Sequence, residues 1–376
     1  GSYTGQYCFH DELYVTDAKP GDPCPDCGRI TETVTEENYF FKLSAFQDRL
    51  LQLYEDQPDF IQPETRKNEI RTFVKQGLND LSITRTTINW GIPVPVEGKH
   101  VFYVWFDALI SYMSAVKGEG LWPADLHLIG KDILRFHTIY WPAFLMAGEI
   151  ALPRKVFAHG WVLVQESKMS KSRGNVVRPG PIAEVMGGPD PLRYFLWREI
   201  PFGQDGNFSY DAMIERYNAD LANGIGNLAS RTLSMLHQYF DGVVPVSAGD
   251  EGVADAARET SEAVARRFDE FDFTRGLELV QGFVSRIDKY IVERAPWKLA
   301  KDRKTNPEAE VRLAETLYTA AESLRLICGW LYPPITQSAQ KIRKQLAMPA
   351  KLADVKTADL VWGKLEAGQQ IGKVEA

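Results

Sequence analysis

The chain is 376 residues long, 44% hydrophobic and 25% charged, with a formal net charge of −7. That length suggests two or three domains, each able to bury its own core, and no uncharged apolar run approaches the ~18 residues of a membrane-spanning helix. The acidic balance argues against an all-over basic nucleic-acid binder but leaves local basic surfaces open; four cysteines point to a reduced, cytoplasmic protein, and no secretory leader is expected.

Residues 1–36 read as turn-rich, with Cys8, Cys24 and Cys27 spread among Gly, Pro and Asp. Cys24-Pro25-Asp26-Cys27-Gly28 has knuckle spacing, in which a glycine lets the backbone turn under a metal. A helical stretch is predicted to run through Tyr54 and another from Glu64 to Leu78, stopped by Gly77 and Asn79. From Ser82 the texture changes to short strands and turns. Val101 to Phe106 reads as a buried strand, followed by an apolar helix over 108–116. Leu126 to Gly130 is a second strand, Ile133 to Ala147 a second helix, and residues 155–164 a third strand. Strands alternating with helices imply a parallel α/β sheet. After about residue 207 the strand signal ends. Amphipathic helices are predicted over 209–240, 251–270, 274–294 and 307–329, with a shorter one near 335–346. Asp241-Gly242 is a helix stop, this half should be an α-helical bundle, and Cys328 reads as plain core. The tail from Pro349 is expected to pack back on the core, against the first domain.

The run Glu166 to Asn175 sets Lys168 and Lys171 three residues apart among small hydroxyl residues and closes with Gly174. A hydrated, doubly cationic loop of this kind suits a polyphosphate whose charge peaks during a reaction. Lys168-Met169-Ser170-Lys171-Ser172 matches the second signature of class I aminoacyl-tRNA synthetases. Further runs resemble the methionyl-tRNA synthetases in particular: Asp80 to Arg85, Trp90 to Pro93, Tyr103 to Tyr112, His127 to Ile133 with Phe136-His137, and Arg198 to Gly206. The resemblance covers essentially the whole chain. It implies a Rossmann-like α/β class I catalytic domain, incomplete at its N-terminus, followed by an α-helical anticodon-binding bundle. The implied divisions are a connective insertion with a zinc-knuckle-like segment at 1–81, the second half of the catalytic domain at 82–207, the anticodon domain at 208–348 and a tail at 349–376.

The same resemblance assigns roles. Trp105, Ala108, Leu109, Tyr112, Ile133 and His137 stand at the family's methionine-pocket positions, which suits an unbranched, polarizable side chain that wants an aromatic box. Leu109 departs from the proline some members carry. Gly130 permits close approach of ATP at the end of a parallel strand, and Asp132 is the ribose acceptor, with a helix N-cap as its alternative role. His127 and Lys131 read equally as solvated neighbours. Lys168 and Lys171 bridge the phosphates, with Lys171 the principal transition-state lysine and Mg²⁺ sharing the charge. Asn227 and Arg231, four apart on one helix face, and Trp297 match the family's anticodon triad. Cys8, Cys24 and Cys27 resemble a zinc knuckle whose fourth position holds Asp11, with His10 beside it. Either Zn²⁺ is bound by three cysteines plus Asp11 or His10, or the site is degenerate and metal-free.

The implied activity is formation of methionyl-adenylate from methionine and ATP, then transfer to tRNA(Met) by a cytoplasmic monomer with no membrane partner. None of the six histidines lies in the His-Ile-Gly-His-like first signature. The sequence is therefore expected to describe half an active site, and the alternative is a tRNA-binding fragment without catalysis of its own. A related enzyme for leucine, isoleucine or valine is disfavoured, since no large editing insertion lies between Ser82 and Ser172.

Overall fold

The turn-rich opening of the sequence folds as a small antiparallel sheet. In the computed structural model, all residues are described except 11–12, 16–17, 26, 89, 96–98, 165, 170–173, 350–358 and 374–376. Strands β1 (Ser2–Cys8), β2 (Leu13–Val15) and β3 (Glu32–Glu37) lie in the order β2-β1-β3, with Gln6 opposite Val15 on one side and Thr33 on the other. The alternating Thr and Val of β3 suit a pleated strand, a signal that the surrounding Gly, Pro and Asp mask in sequence.

By contact density the chain divides into two units, Gly1–His159 and Gly160–Ala376. In the first, β4 (Phe40–Phe41) leads into α1 (Gln47–Asp56), β5 (Ile61–Gln62) and α2 (Glu64–Lys75). The helices bury Leu50, Leu53 and Tyr54, and Ile70 and Val74, at the three- and four-residue spacing of an apolar stripe. Gly77, at φ +108°, ends the second as expected. Strand β6 (Leu81–Ser82) pairs with β4, and β7 (Thr84–Arg85) with β8 (Val101–Phe102). The strand predicted over 101–106 stops at Phe102. Tyr103 O accepts from the backbone N–H of Phe106 and Asp107, and helices α3 (Val104–Ala108) and α4 (Ser111–Ser114) follow. A short aromatic run fits either state by pattern alone, and here local turns decide it. Strand β9 (His127–Gly130) is followed by a 3-10 turn (Lys131–Ile133), a π-helical turn (Phe136–Tyr140), α5 (Trp141–Ala147) and β10 (Val156–His159). Strands β5, β10 and β9 form the expected parallel sheet in that order. Ile61, Ile129 and Val156 from these strands pack on Leu50, Ile70 and Ile139.

In the second unit, the strand predicted over 155–164 proves to be two strands in different sheets, broken at Gly160. A methyl group there would sit 2.2 Å from the Gln204 carbonyl, so only glycine lets the two backbones pass. Strand β11 (Val162–Val164) pairs with β12 (Ser167–Lys168) and, in parallel, with β13 (Gly206–Asn207). Between them lie α6 (Pro179–Val185) and α7 (Asp190–Glu199). The helix predicted over 209–240 runs as α8 (Tyr210–Arg216), a ten-residue π-helical stretch (Tyr217–Gly226) and α9 (Asn227–Phe240), ending where Asp241 turns left-handed. Helices α10 (Glu251–Asp269), α11 (Phe273–Arg294), α12 (Pro296–Asp302), α13 (Pro307–Trp330) and α14 (Thr336–Gln345) complete the bundle. Asp250, Asp272 and Asn306 cap three of them. Leu228, Leu277, Val280, Val284 and Ile287 form part of its core, and Cys328 is buried there as expected.

The tail is expected against the first domain, but its described part, 359–373, instead packs on this bundle, where Leu365 and Ile371 join the core. Glu322, fully buried on α13, accepts from the backbone N–H groups of Gly363, Lys364 and Leu365 and from Arg325. Arg325 in turn donates to the carbonyls of Asp359 and Val361.

Candidate active site

The first unit gathers several of the residues expected at a methionine pocket around the end of β9. Helices α3 and α4 deliver Trp105, Ala108 and Tyr112, and the turn between them Leu109; the turns after β9 deliver Ile133 and His137. His137 is buried, and its Nδ1 lies 3.0 Å from the Ile133 carbonyl. A carbonyl only accepts, which puts the proton on Nδ1 and leaves Nε2 to accept from the Tyr112 hydroxyl at 2.8 Å. Burial holds the His137 imidazole below its ordinary pKa and raises that of the Tyr112 phenol. The site is therefore a neutral, hydrogen-bonded pair in aromatic surroundings. Leu109, 1% exposed, packs with Trp141 and Leu145 in the layer behind.

Two neighbours gain meaning only in three dimensions. Phe136, which has no assigned role in the sequence motif it belongs to, stacks on Trp105 at 4.1 Å between centroids. His127 is no solvated neighbour. It is 4% exposed, with Tyr112 edge-on at 4.4 Å, and burial, aided by His137, brings its pKa down to about 4. The alternation of β9 carries the signal for this: His127 and Ile129 point inward, and Leu128 is exposed.

Gly130 ends β9, and a Cβ there would meet Asp132 Oδ1 at 2.6 Å. With no side chain at residue 130, the exposed Asp132 carboxylate sits directly against the backbone. Asp132 lies inside the 3-10 turn and Gly130 takes the cap position, so the helix-cap role does not hold.

In the second unit, Lys168 sits on β12 with its ammonium 4.3 Å from the centre of the Trp161 ring, a cation–π contact. Its carbonyl accepts from the Asn175 side-chain amide, and Glu166 turns left-handed at φ 60° with its N–H on Asn207 Oδ1. These contacts define the base of the lysine hairpin. Lys171 lies outside the described residues.

The thiols of Cys8, Cys24 and Cys27 come together, all three sulfurs within 4.8 Å of one another. Gly28, at φ +74°, returns its N–H to the Cys24 carbonyl at 2.8 Å, which makes the knuckle turn. Asp11 lies outside the described residues, and His10 is exposed.

On the bundle, Asn227 opens α9 exposed to solvent, and Arg231 one turn on donates to Asp288 of α11 at 3.0 Å. Burial raises the Asp288 carboxyl pKa, and Arg231 opposes the rise. Trp297, 39% exposed, lies on α12 just after the left-handed Ala295. The guanidinium is thereby held in one orientation and the indole is left partly open.

The family described as tRNA synthetases class I (M) matches residues 22–233, more than half of the chain. The chain belongs to that family, with its α/β Rossmann-like catalytic domain and a helical region beyond it. The methionine–tRNA ligase of Caldanaerobacter subterraneus subsp. tengcongensis is 46% identical over 388 residues, taking in all of this chain and 60% of that protein. That of Bacillus subtilis is 44% identical over 92% of this chain and 55% of its own length. The chain thus spans little more than half the length of these curated relatives. Among solved structures, Mycobacterium tuberculosis methionyl-tRNA synthetase in complex with methionyl-adenylate superposes with a TM-score of 0.91 at 39% identity, covering 100% of this chain and 76% of that one.

Proposed function

We propose that the chain is the catalytic and anticodon-reading portion of a methionine–tRNA ligase. It binds methionine and ATP, contributes to forming methionyl-adenylate, and presents its helices to tRNA(Met). The observation that carries this is the likeness along the whole chain to a synthetase solved with methionyl-adenylate. Trp105 and Phe136 offer an aromatic wall, and the Tyr112–His137 pair offers a neutral polar end suited to a thioether. With Ala108 and Ile133 these line the proposed methionine site, and Leu109 backs it from the layer behind. Gly130 and Asp132 would take the ATP ribose, and Lys168 and Lys171 its phosphates. Mg²⁺ supplies further positive charge to those phosphates when bound. The methionine carboxylate attacks the α-phosphorus in line and pyrophosphate leaves. No protein nucleophile is needed, so the residues act by positioning and by matching developing charge.

Cys8, Cys24 and Cys27 would hold Zn²⁺, for which three converging thiols and a glycine-backed turn are suited; the metal supplies a structural cross-link. Asn227, Arg231 and Trp297 form the proposed anticodon surface. The reading includes a cytoplasmic monomer divided as insertion 1–81, catalytic portion 82–207, helical domain 208–348 and tail; among the described residues no helix is long and apolar enough to cross a membrane. A tRNA-binding role without catalysis is the second reading, favoured by the separate core of the bundle.

Methionine-dependent ATP–pyrophosphate exchange by the complete protein decides between them. In that protein, Lys171→Ala should slow exchange by about 100-fold or more and alter methionine binding far less. Exchange at the wild-type rate would remove Lys171 from the mechanism. Absence of exchange in the unmodified complete protein would leave the binding role alone.

A further inference from the structure

A second set of buried charges lies away from the proposed pocket, and neither the reaction nor the cysteine cluster uses it. Glu36 on β3 is 2% exposed. A carboxylate so buried survives as an anion only if donors surround it. Its Oε1 accepts from the backbone N–H of Thr86 at 3.3 Å and of Thr87 at 2.9 Å, and from the Thr87 hydroxyl. Its Oε2 accepts from Tyr14 Oη at 3.0 Å and Asn38 Nδ2 at 3.3 Å. The carboxylate therefore ties the small antiparallel sheet to the turn that leaves β7.

Arg85 ends β7 beside that turn and is 8% exposed. Its Nη1 donates to the Ser82 hydroxyl at 3.1 Å and the Thr84 carbonyl at 2.7 Å. The guanidinium lies 5.1 Å from the Tyr14 ring centre and 4.2 Å from that of Tyr103. Tyr103 immediately precedes α3, and its backbone N–H is held by the Ile83 carbonyl at 2.9 Å. Trp105 follows two residues later, with Phe136 stacked against it. Tyr14 thus belongs to both halves: its hydroxyl is on Glu36 and its face is under Arg85.

We propose that Glu36 and Arg85 are positioning residues for Trp105, acting through Tyr14 and Tyr103 on the start of α3. Insofar as it concerns methionine, the proposal rests on the methionine-site reading above. The sheet that carries Cys8 then fixes where the Trp105–Phe136 wall stands. Glu36→Gln keeps the shape but replaces one acceptor with a donor facing donors. Arg85→Lys keeps the charge but loses the planar face that lies on two rings.

The test uses the complete protein labelled with fluorotryptophan. The fluorine resonance of Trp105 is assigned by its loss in Trp105→Phe, and methionine affinity is titrated in parallel. Glu36→Gln and Arg85→Lys should each shift or broaden that resonance and weaken methionine binding by about fivefold, the scale of one lost interaction. The double variant should lose less than the product of the two, because both act on one path. If Glu36→Gln does not fold, Tyr14→Phe removes a single donor, keeps the ring and should shift the resonance less. An unmoved Trp105 resonance in the folded variants overturns the proposal. If the unmodified complete protein binds no methionine, the functional reading fails, while the resonance still decides the positioning role.

Discussion

At the scale of single residues, burial keeps the imidazoles of His127 and His137 neutral. Trp105, Tyr112 and His137 belong to motifs readable in one dimension, but the hydrogen bond joining Tyr112 to His137 needs the π turn that brings residue 137 back to α4. His127 looks like a surface histidine until β9 places it on the inward face. Its burial has a measurable consequence. The imidazole titrates near its ordinary 6.5 when unfolded and at about 4 in the fold. Above pH 6.5 both states are neutral and the full stability is present. As pH falls toward 4, the unfolded chain takes up a proton that the folded chain refuses, so stability is lost. Between pH 7 and 5 this should cost about 2 kcal/mol. His137, facing it, shifts in the same direction, and Tyr112 remains neutral throughout this range. Urea unfolding across these pH values should be less pH-dependent in His127→Phe; an identical dependence would show that His127 is not the buried titrating group.

At the scale of elements, long amphipathic helices were read nearly to the residue. The prediction of 251–270 meets an observed Glu251–Asp269, because an apolar stripe at helical spacing survives any context. Short β elements fared worse. Val101 to Phe106 has strand-like letters but half of it is helix, and the strand over 155–164 breaks because Gly160 passes against Gln204, a contact 44 positions away in sequence. The three strands before residue 38 were missed since their pairing is set across the sheet. That same sheet brings Cys8 to Cys24 and Cys27, and the proposed metal is tested there. A folded sample should contain about one zinc per chain by elemental analysis, and Cys24→Ser should abolish it and lower the melting temperature. Zinc-free protein with unchanged melting would show the thiol cluster to be vestigial.

At the scale of the whole molecule, a net charge of −7 coexists with a helical unit proposed to hold RNA. Local groups must therefore do the work. Arg231, oriented by Asp288, and the part-exposed Trp297 are suited to splayed bases, and lysines 298, 301 and 304 follow the tryptophan in sequence. Binding of a CAU-anticodon tRNA should weaken steadily as salt rises, and Trp297→Ala should cost about 1–3 kcal/mol of affinity by filter binding. Equal binding of a tRNA with a different anticodon would sink the anticodon assignment.

The buried Glu322 and its tail partners also set an order of events during synthesis. A ribosome delivers Glu322 of α13 about forty residues before Gly363 to Leu365, the segment whose N–H groups surround that carboxylate. Until then Glu322 has Arg325 but lacks its three backbone donors, and the positions taken by Leu365 and Ile371 stand empty. The helices can collapse early, as domains do when their N-terminal parts emerge first, but the bundle cannot lock. A nascent chain stalled before residue 363 should therefore remain open to proteases and chaperones, and one released beyond residue 371 should close.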